Sequence, residues 1–194
     1  MTQRISTLNE PKLGTAGAPT PIWRSIAIVF GGSLLLALAA RISVPMLPVP
    51  MTMQTYAVLL LGALLGWRMA GLSVLFYLGE AVLGFPVLAN GAFGVTRLIG
   101  PTGGYLLAFP FVAMAVGWAV QRSWGGKWIW AFATMLAGHV LILTLGTAWL
   151  ATALGWEKAI AAGATPFLVG SVVKSALVVS TVEAVGRIRQ RSLT

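Results

Sequence analysis

From residue 22 onward the chain is a succession of long apolar stretches with hardly a charge inside them, separated by short joints rich in glycine, proline or arginine. Such stretches cannot all be hidden in one water-soluble core. Only 9% of the residues are charged and 58% are hydrophobic, against about 25% and about 45–50% in a soluble domain. A helix of about 20 apolar residues crosses the hydrocarbon of a bilayer, and it satisfies its own backbone hydrogen bonds while doing so. The pattern therefore predicts an all-α integral membrane protein.

Six spans are expected, over residues 22–42, 52–66, 69–83, 103–121, 128–150 and 166–186. The first is stopped by PMLPVP at residues 45–50, because proline cannot continue the backbone ladder. Residues 1–21 are polar and rich in Gly, Pro and Thr, and read as a disordered tail without a cleavable signal. Residues 22–187 form one membrane domain, and 188–194 a basic tail. Six crossings put both termini on one side, which then holds Arg4, Lys12, Arg24, Arg68, Arg122, Lys127, Arg187, Arg189 and Arg191. The other side holds Arg41, Arg97 and Lys158. The positive-inside rule makes the termini cytoplasmic. The formal charge of +9 is thus explained by topology. Basic residues scattered singly at span ends are not a nucleic-acid face.

Small residues at helical spacing allow close packing in lipid. Ser33 and Ala37 stand four apart on the first span, and Gly62 and Gly66 form a GxxxG on the second. Two readings stay open for the first pair: packing inside this bundle, or docking against another membrane subunit. Polar groups inside the spans are costly and mark function by default. Lys174 lies in the sixth span on the same face as Ser171 and Phe167, and is expected to make a buried ligand contact, to a carboxylate or to a polar carbonyl, with outward snorkelling as the alternative. Ser73, Tyr77 and Glu80 form a polar stripe, with Arg97, Lys174 or the outer surface as the expected partner of Glu80. His139, alone in the fifth span, suits a helix–helix hydrogen bond better than a metal.

Between the third and fourth spans runs PVLANGAFGVTRLIGPTGGY, residues 86–105. It lacks the GxxxxGK[ST] and strand–GxGxxG–helix contexts of phosphate cradles. It fits a segment that caps or re-enters the membrane, since irregular backbone is tolerated there when it lines a cavity. Asn90 offers a donor and an acceptor, Arg97 a charged fork, and Tyr105 a ring with a hydroxyl. This inventory suits a small molecule with amide-like and anionic parts.

Three blocks carry a resemblance: PVPMTMQTYAVLLLGALLG (48–66), GFPVLANGAFGVTRLIGPTGGYLLAF (84–109) and PFLVGSVVK (166–174). In kind and order they resemble the signature blocks of the BioY family, the substrate-binding S-components of energy-coupling factor (ECF) biotin transporters. The resemblance implies a six-helix S-component fold in a bacterial cytoplasmic membrane. It implies biotin held near the outer face, under the loops after the first and third spans. Asn90, Arg97 and Lys174 match the family's pocket-lining asparagine, arginine and lysine, while Gln54, Thr102 and Tyr105 match motif positions. Ser171 is a departure, standing where the family usually has an aspartate. A hydroxyl can accept and donate, but it cannot be an ionised acceptor for ureido N–H groups.

The implied activity is high-affinity capture and uptake of biotin, the transported substrate rather than a cofactor. The implied partners are a transmembrane coupling subunit and two cytoplasmic ATPases. An alternative is an S-component-like transporter for a biotin relative or another small vitamin, working alone or as a homo-oligomer. A membrane enzyme is disfavoured: the chain has no Cys, one His, and four acids, Glu10, Glu80, Glu157 and Glu183. Acid–base and nucleophilic mechanisms need more than that. A purely structural subunit leaves the burial of Lys174 without a purpose.

Overall fold

In the computed structural model, which describes residues 21–123 and 128–191, the most informative element is the helix α2, Gln54–Val82. Gln54 Nε2 donates a hydrogen bond of 2.6 Å to Tyr77 Oη, across 23 positions of sequence. In a straight helix those residues would stand about 34 Å apart. The element therefore doubles back. The reversal is at Gly66, whose φ of 74° and ψ of 174° are non-helical and lie in a region open essentially to glycine alone. Its two arms, residues 54–65 and 67–82, lie side by side.

The remaining elements are α1 (Ile22–Arg41), the strands β1 (Ser43–Val44) and β2 (Met51–Thr52), α3 (Val95–Ile99), α4 (Gly103–Ser123), α5 (Trp128–Leu154), α6 (Trp156–Gly163) and α7 (Phe167–Arg191). The strands pair antiparallel, Ser43 with Thr52 and Val44 with Met51, so the proline-rich residues 45–50 form the tip of a hairpin. Among the described residues five helices, α1, α2, α4, α5 and α7, are long and apolar enough to cross a membrane. Six were expected. The expected second and third spans are the two arms of α2, because helical hydrogen bonding resumes directly after Gly66 and leaves no loop between them.

Other boundaries move outward. Helix α7 continues through Arg191, so most of the expected basic tail from residue 188 is helical. Helices α3 and α6 were not anticipated. The expected disordered tail lies outside the described residues except for Pro21, as do Lys127 and residues 192–194.

α4 packs against both α2 and α5, α1 rests on α2, and α7 closes the bundle against α5 and α2. Glycines set the closest approaches. A Cβ at Gly62 would stand 2.8 Å from the Ala113 carbonyl, and one at Gly117 would stand 2.5 Å from the Trp67 nitrogen. The GxxxG of α2 thus serves internal packing against α4. Ser33 does likewise: it is 1% exposed, and its hydroxyl donates to Glu80 Oε2 on the second arm of α2. Ala37, half-buried, packs on the same core. Ser33 thus makes the packing inside its own bundle that was one of the two readings for this pair. Glu80 takes Ser33 as its partner, in place of Arg97 or Lys174.

Leu36, Leu59, Val74, Tyr77, Val112, Met135 and Ile142 fill the interior. Large apolar side chains such as Phe30, Leu72, Phe111, Trp130 and Val173 point outward. On a water-soluble protein such an apolar surface would be a liability, whereas lipid is its natural solvent.

Candidate ligand-binding site

At the end of the bundle opposite Gly66, the β1–β2 hairpin and the 83–102 segment cover a cavity of about 1060 Å³. The two covering segments are tied together. Arg41, the last residue of α1, donates from Nη2 to the Pro86 carbonyl at 2.7 Å, and Ser43 Oγ donates to Asn90 Oδ1 at 3.2 Å. Asn90 sits in a tight turn, Ala89–Gly91, with φ 57° and ψ 24°. That left-handed conformation is one asparagine tolerates better than most residues, and Gly91 continues it at φ 72°. The turn leaves the Asn90 amide nitrogen with no hydrogen-bond partner among the described residues.

Beneath the lid, a polar chain links the two covering segments through the interior. Thr52 Oγ1 donates to Gln54 Oε1 (3.1 Å), Gln54 Nε2 donates to Tyr77 Oη (2.6 Å), and Tyr77 Oη donates to the Val87 carbonyl (3.0 Å). Gln54 and Tyr77 are both buried, and each finds its partner only because α2 folds back.

All seven residues singled out in the sequence line this one cavity: Gln54, Asn90, Arg97, Thr102, Tyr105, Ser171 and Lys174. Their orientations differ. Lys174 Nζ reaches from α7 to the Thr52 carbonyl (2.6 Å) and Thr55 Oγ1 (3.3 Å), so the ammonium is turned inward and binds α7 to the start of α2. Arg97, on α3, is exposed, and its guanidinium has no partner among the described residues. Thr102 Oγ1 donates to the Arg97 carbonyl (3.2 Å), fastening the junction of α3 and α4. Ser171 Oγ donates to the Phe167 carbonyl of its own helix (2.8 Å), which leaves its lone pairs but not its proton for a ligand.

Tyr105 presents its ring and withholds its hydroxyl, which donates to the Gly163 carbonyl at 2.7 Å and lies 3.3 Å from Thr147 Oγ1. The ring is seated against Gly146, where any Cβ would strike it.

Sequence reasoning missed several wall residues. Phe93, Phe109, Ile142 and Leu143 supply apolar surface and Thr55 a hydroxyl, while the hairpin tip 45–50, Phe167 and His139, noted in the sequence on other grounds, join the same wall. Aromatic and aliphatic residues in an apolar chain carry no local mark of facing a cavity rather than lipid. His139 makes the expected interhelical bond, with Nδ1 3.0 Å from Ser175 Oγ on α7. Among the described residues no carboxylate lines the cavity, while two cations do, Arg97 and Lys174. Charge complementarity therefore favours an anionic ligand. No group of His, Cys, Asp and Glu among the described residues could hold a metal ion.

Comparison with known proteins gives the family of the chain. Residues 6–191 match the model of the BioY family. The chain is 35% identical over 156 residues to a biotin transporter, BioY2, of Lactococcus lactis subsp. cremoris, covering 79% of this chain and 85% of that protein. It is 38% identical over 149 residues to a probable biotin transporter, BioY, of Pyrococcus horikoshii, covering 77% and 88%. Its fold matches a crystal structure of the S-component for biotin from an ECF-type ABC transporter. The TM-score there is 0.77 at 23% identity, covering 88% of this chain and 95% of that one. With residues 6–191 matched, and relatives of 35% and 38% identity covered over most of their length, this chain belongs to the BioY family, a family of transporters rather than enzymes.

Proposed function

We propose that the chain captures biotin at the outer face of a bacterial cytoplasmic membrane, as the substrate-binding subunit of an ECF-type transporter. The observation that carries this reading is the cavity's charge and polarity: two cations, no acid, and neutral donors and acceptors set in an apolar wall. Biotin has a single carboxylate, a ureido ring and an apolar body between them. Arg97, exposed and without a side-chain partner, meets the carboxylate at the mouth, where a planar fork suits it. Lys174 and Ser171 face the ring end. Asn90 donates its free amide N–H groups to a ligand oxygen, and Gln54 and Thr102 hold the walls. The rings of Tyr105, Phe109 and Phe167 pack on the apolar body.

In this reading each arm of α2 crosses the bilayer, giving six crossings and cytoplasmic termini. Arg68 and Arg122 stack on Trp67 and Trp118 at the inner interface, their guanidinium carbons 4.9 and 4.5 Å from the ring centroids. A transmembrane coupling subunit and two ATPases supply the energy, as the ECF-type S-component fold suggests.

Calorimetry on the purified chain tests the ligand. Biotin should bind saturably and desthiobiotin should compete, whereas lipoate, which lacks ureido N–H groups, should not. Absence of any biotin signal would refute the assignment. Topology is testable separately because the chain has no cysteine of its own. Phe93→Cys should react with an impermeant maleimide on intact cells, and Gln121→Cys only after permeabilisation. The opposite pattern would invert the orientation.

A further inference from the structure

His139 has a second ring nitrogen whose purpose the fold does not supply. The residue is 2% exposed, yet its ring forms part of the cavity wall, beside Ile142 and Leu143 on its own helix. The tautomer follows from its neighbours. Ser175 Oγ donates its proton to the Ser171 carbonyl at 2.8 Å, so toward His139 that oxygen can only accept. The other atom near Nδ1, the Met135 carbonyl at 3.3 Å, is also an acceptor. Nδ1 therefore carries the hydrogen, and Nε2 is left as a bare acceptor.

Nε2 has no hydrogen-bond partner and is closed to water. A second proton on it would be an unpaired charge in a cavity that already holds the Lys174 ammonium. Buried polar atoms are nearly always paired, so an orphan at a cavity wall needs a reason. The cavity offers a ligand's N–H groups no carboxylate to bond with, and a neutral acceptor at its buried wall supplies that lack.

We infer that His139 Nε2 accepts a hydrogen bond from a ring N–H of the ligand and so sets the specificity of the site. The inference rests on the biotin reading above, and it assigns one ureido N–H to His139 and leaves the other to the lone pairs of Ser171. The wall side chains shift to admit the contact, the scale of adjustment that binding commonly brings. A ligand with the same chain and carboxylate but no ring N–H leaves the nitrogen orphaned and binds less well.

The chain has one histidine, so ring-¹⁵N labelling reads this site alone. The unbound protein should show the Nδ1–H tautomer, and saturating biotin should move the Nε2 resonance in the direction of an accepted hydrogen bond. An Nε2 signal that biotin leaves in place, or one already protonated, overturns the inference. In calorimetry, His139→Phe should weaken biotin binding roughly tenfold to a hundredfold, and His139→Gln, which restores an acceptor, should recover most of the loss. A Phe variant within threefold of the parent, or a Gln variant no better than Phe, also overturns it. If the Phe variant does not fold, the labelled parent protein decides. A parent chain that binds no biotin at all is a different result, and it fails the function rather than this contact alone.

Discussion

Replacing Lys174 with alanine should weaken biotin binding by about 2–3 kcal/mol, roughly 30- to 150-fold, from loss of charge-assisted hydrogen bonds. Nζ sits 2.6 Å from the Thr52 carbonyl and 3.3 Å from Thr55 Oγ1, so it does two things at once. It sets a positive charge in the cavity wall, and it fastens α7 to the hairpin strand that covers the cavity. Truncation removes both and leaves the Thr52 carbonyl without that partner. Lys174→Met separates the contributions, because it keeps most of the apolar stem while removing the ammonium. The methionine variant should lose nearly as much affinity as the alanine variant, with a smaller fall in thermal midpoint. A methionine variant that binds biotin as the parent does would remove Lys174 from the site. Arg97→Ala should cost less, about tenfold at most, and its effect should shrink as salt is raised, since the group is exposed and screened.

Those two cations, and Asn90 with them, could be read from the sequence because each is a polar exception in an apolar context. A charge in a span demands an explanation from composition alone. The partners of those groups could not be read the same way. Lys174 and Thr52 are 122 positions apart, and Gln54 and Tyr77 are joined only through the reversal at Gly66. Apart from the stripe of Ser73, Tyr77 and Glu80, the facing of the helices was equally hidden. Helices apolar on every side have no polar stripe to say which face meets lipid and which meets a cavity. Hence Ser33 could be placed on a stripe of small residues but not turned inward toward Glu80. The Tyr105 hydroxyl could be offered to a ligand when the fold gives it to Gly163, and His139 could be assigned its helix–helix bond but not its orphaned nitrogen. Helix α6 escaped because residues 156–163 are too short for a span, and read as part of a connecting loop.

Gly66→Ala should be the most damaging small change outside the cavity. At φ 74° and ψ 174° the residue is in backbone territory that a side chain makes costly, and a Cβ there would also press on the amide of Gln121. Strain of that kind is of order 1–3 kcal/mol. For a chain of this size it should lower the thermal midpoint in detergent by roughly 2–12 °C. The loss should reach the ligand as well. The two arms of α2 must lie side by side for Gln54 to find Tyr77, and Tyr77 in turn holds the Val87 carbonyl of the lid. Gly79→Ala is the control: it lies in the second arm of α2 at ordinary helical angles, and a Cβ there meets nothing within 4 Å. Alanine favours a helix over glycine by about 0.8–1.0 kcal/mol, so that variant should be neutral or slightly more stable. If Gly66→Ala melts and binds biotin as Gly79→Ala does, the chain does not reverse at Gly66, and the cavity built on that reversal must be redrawn.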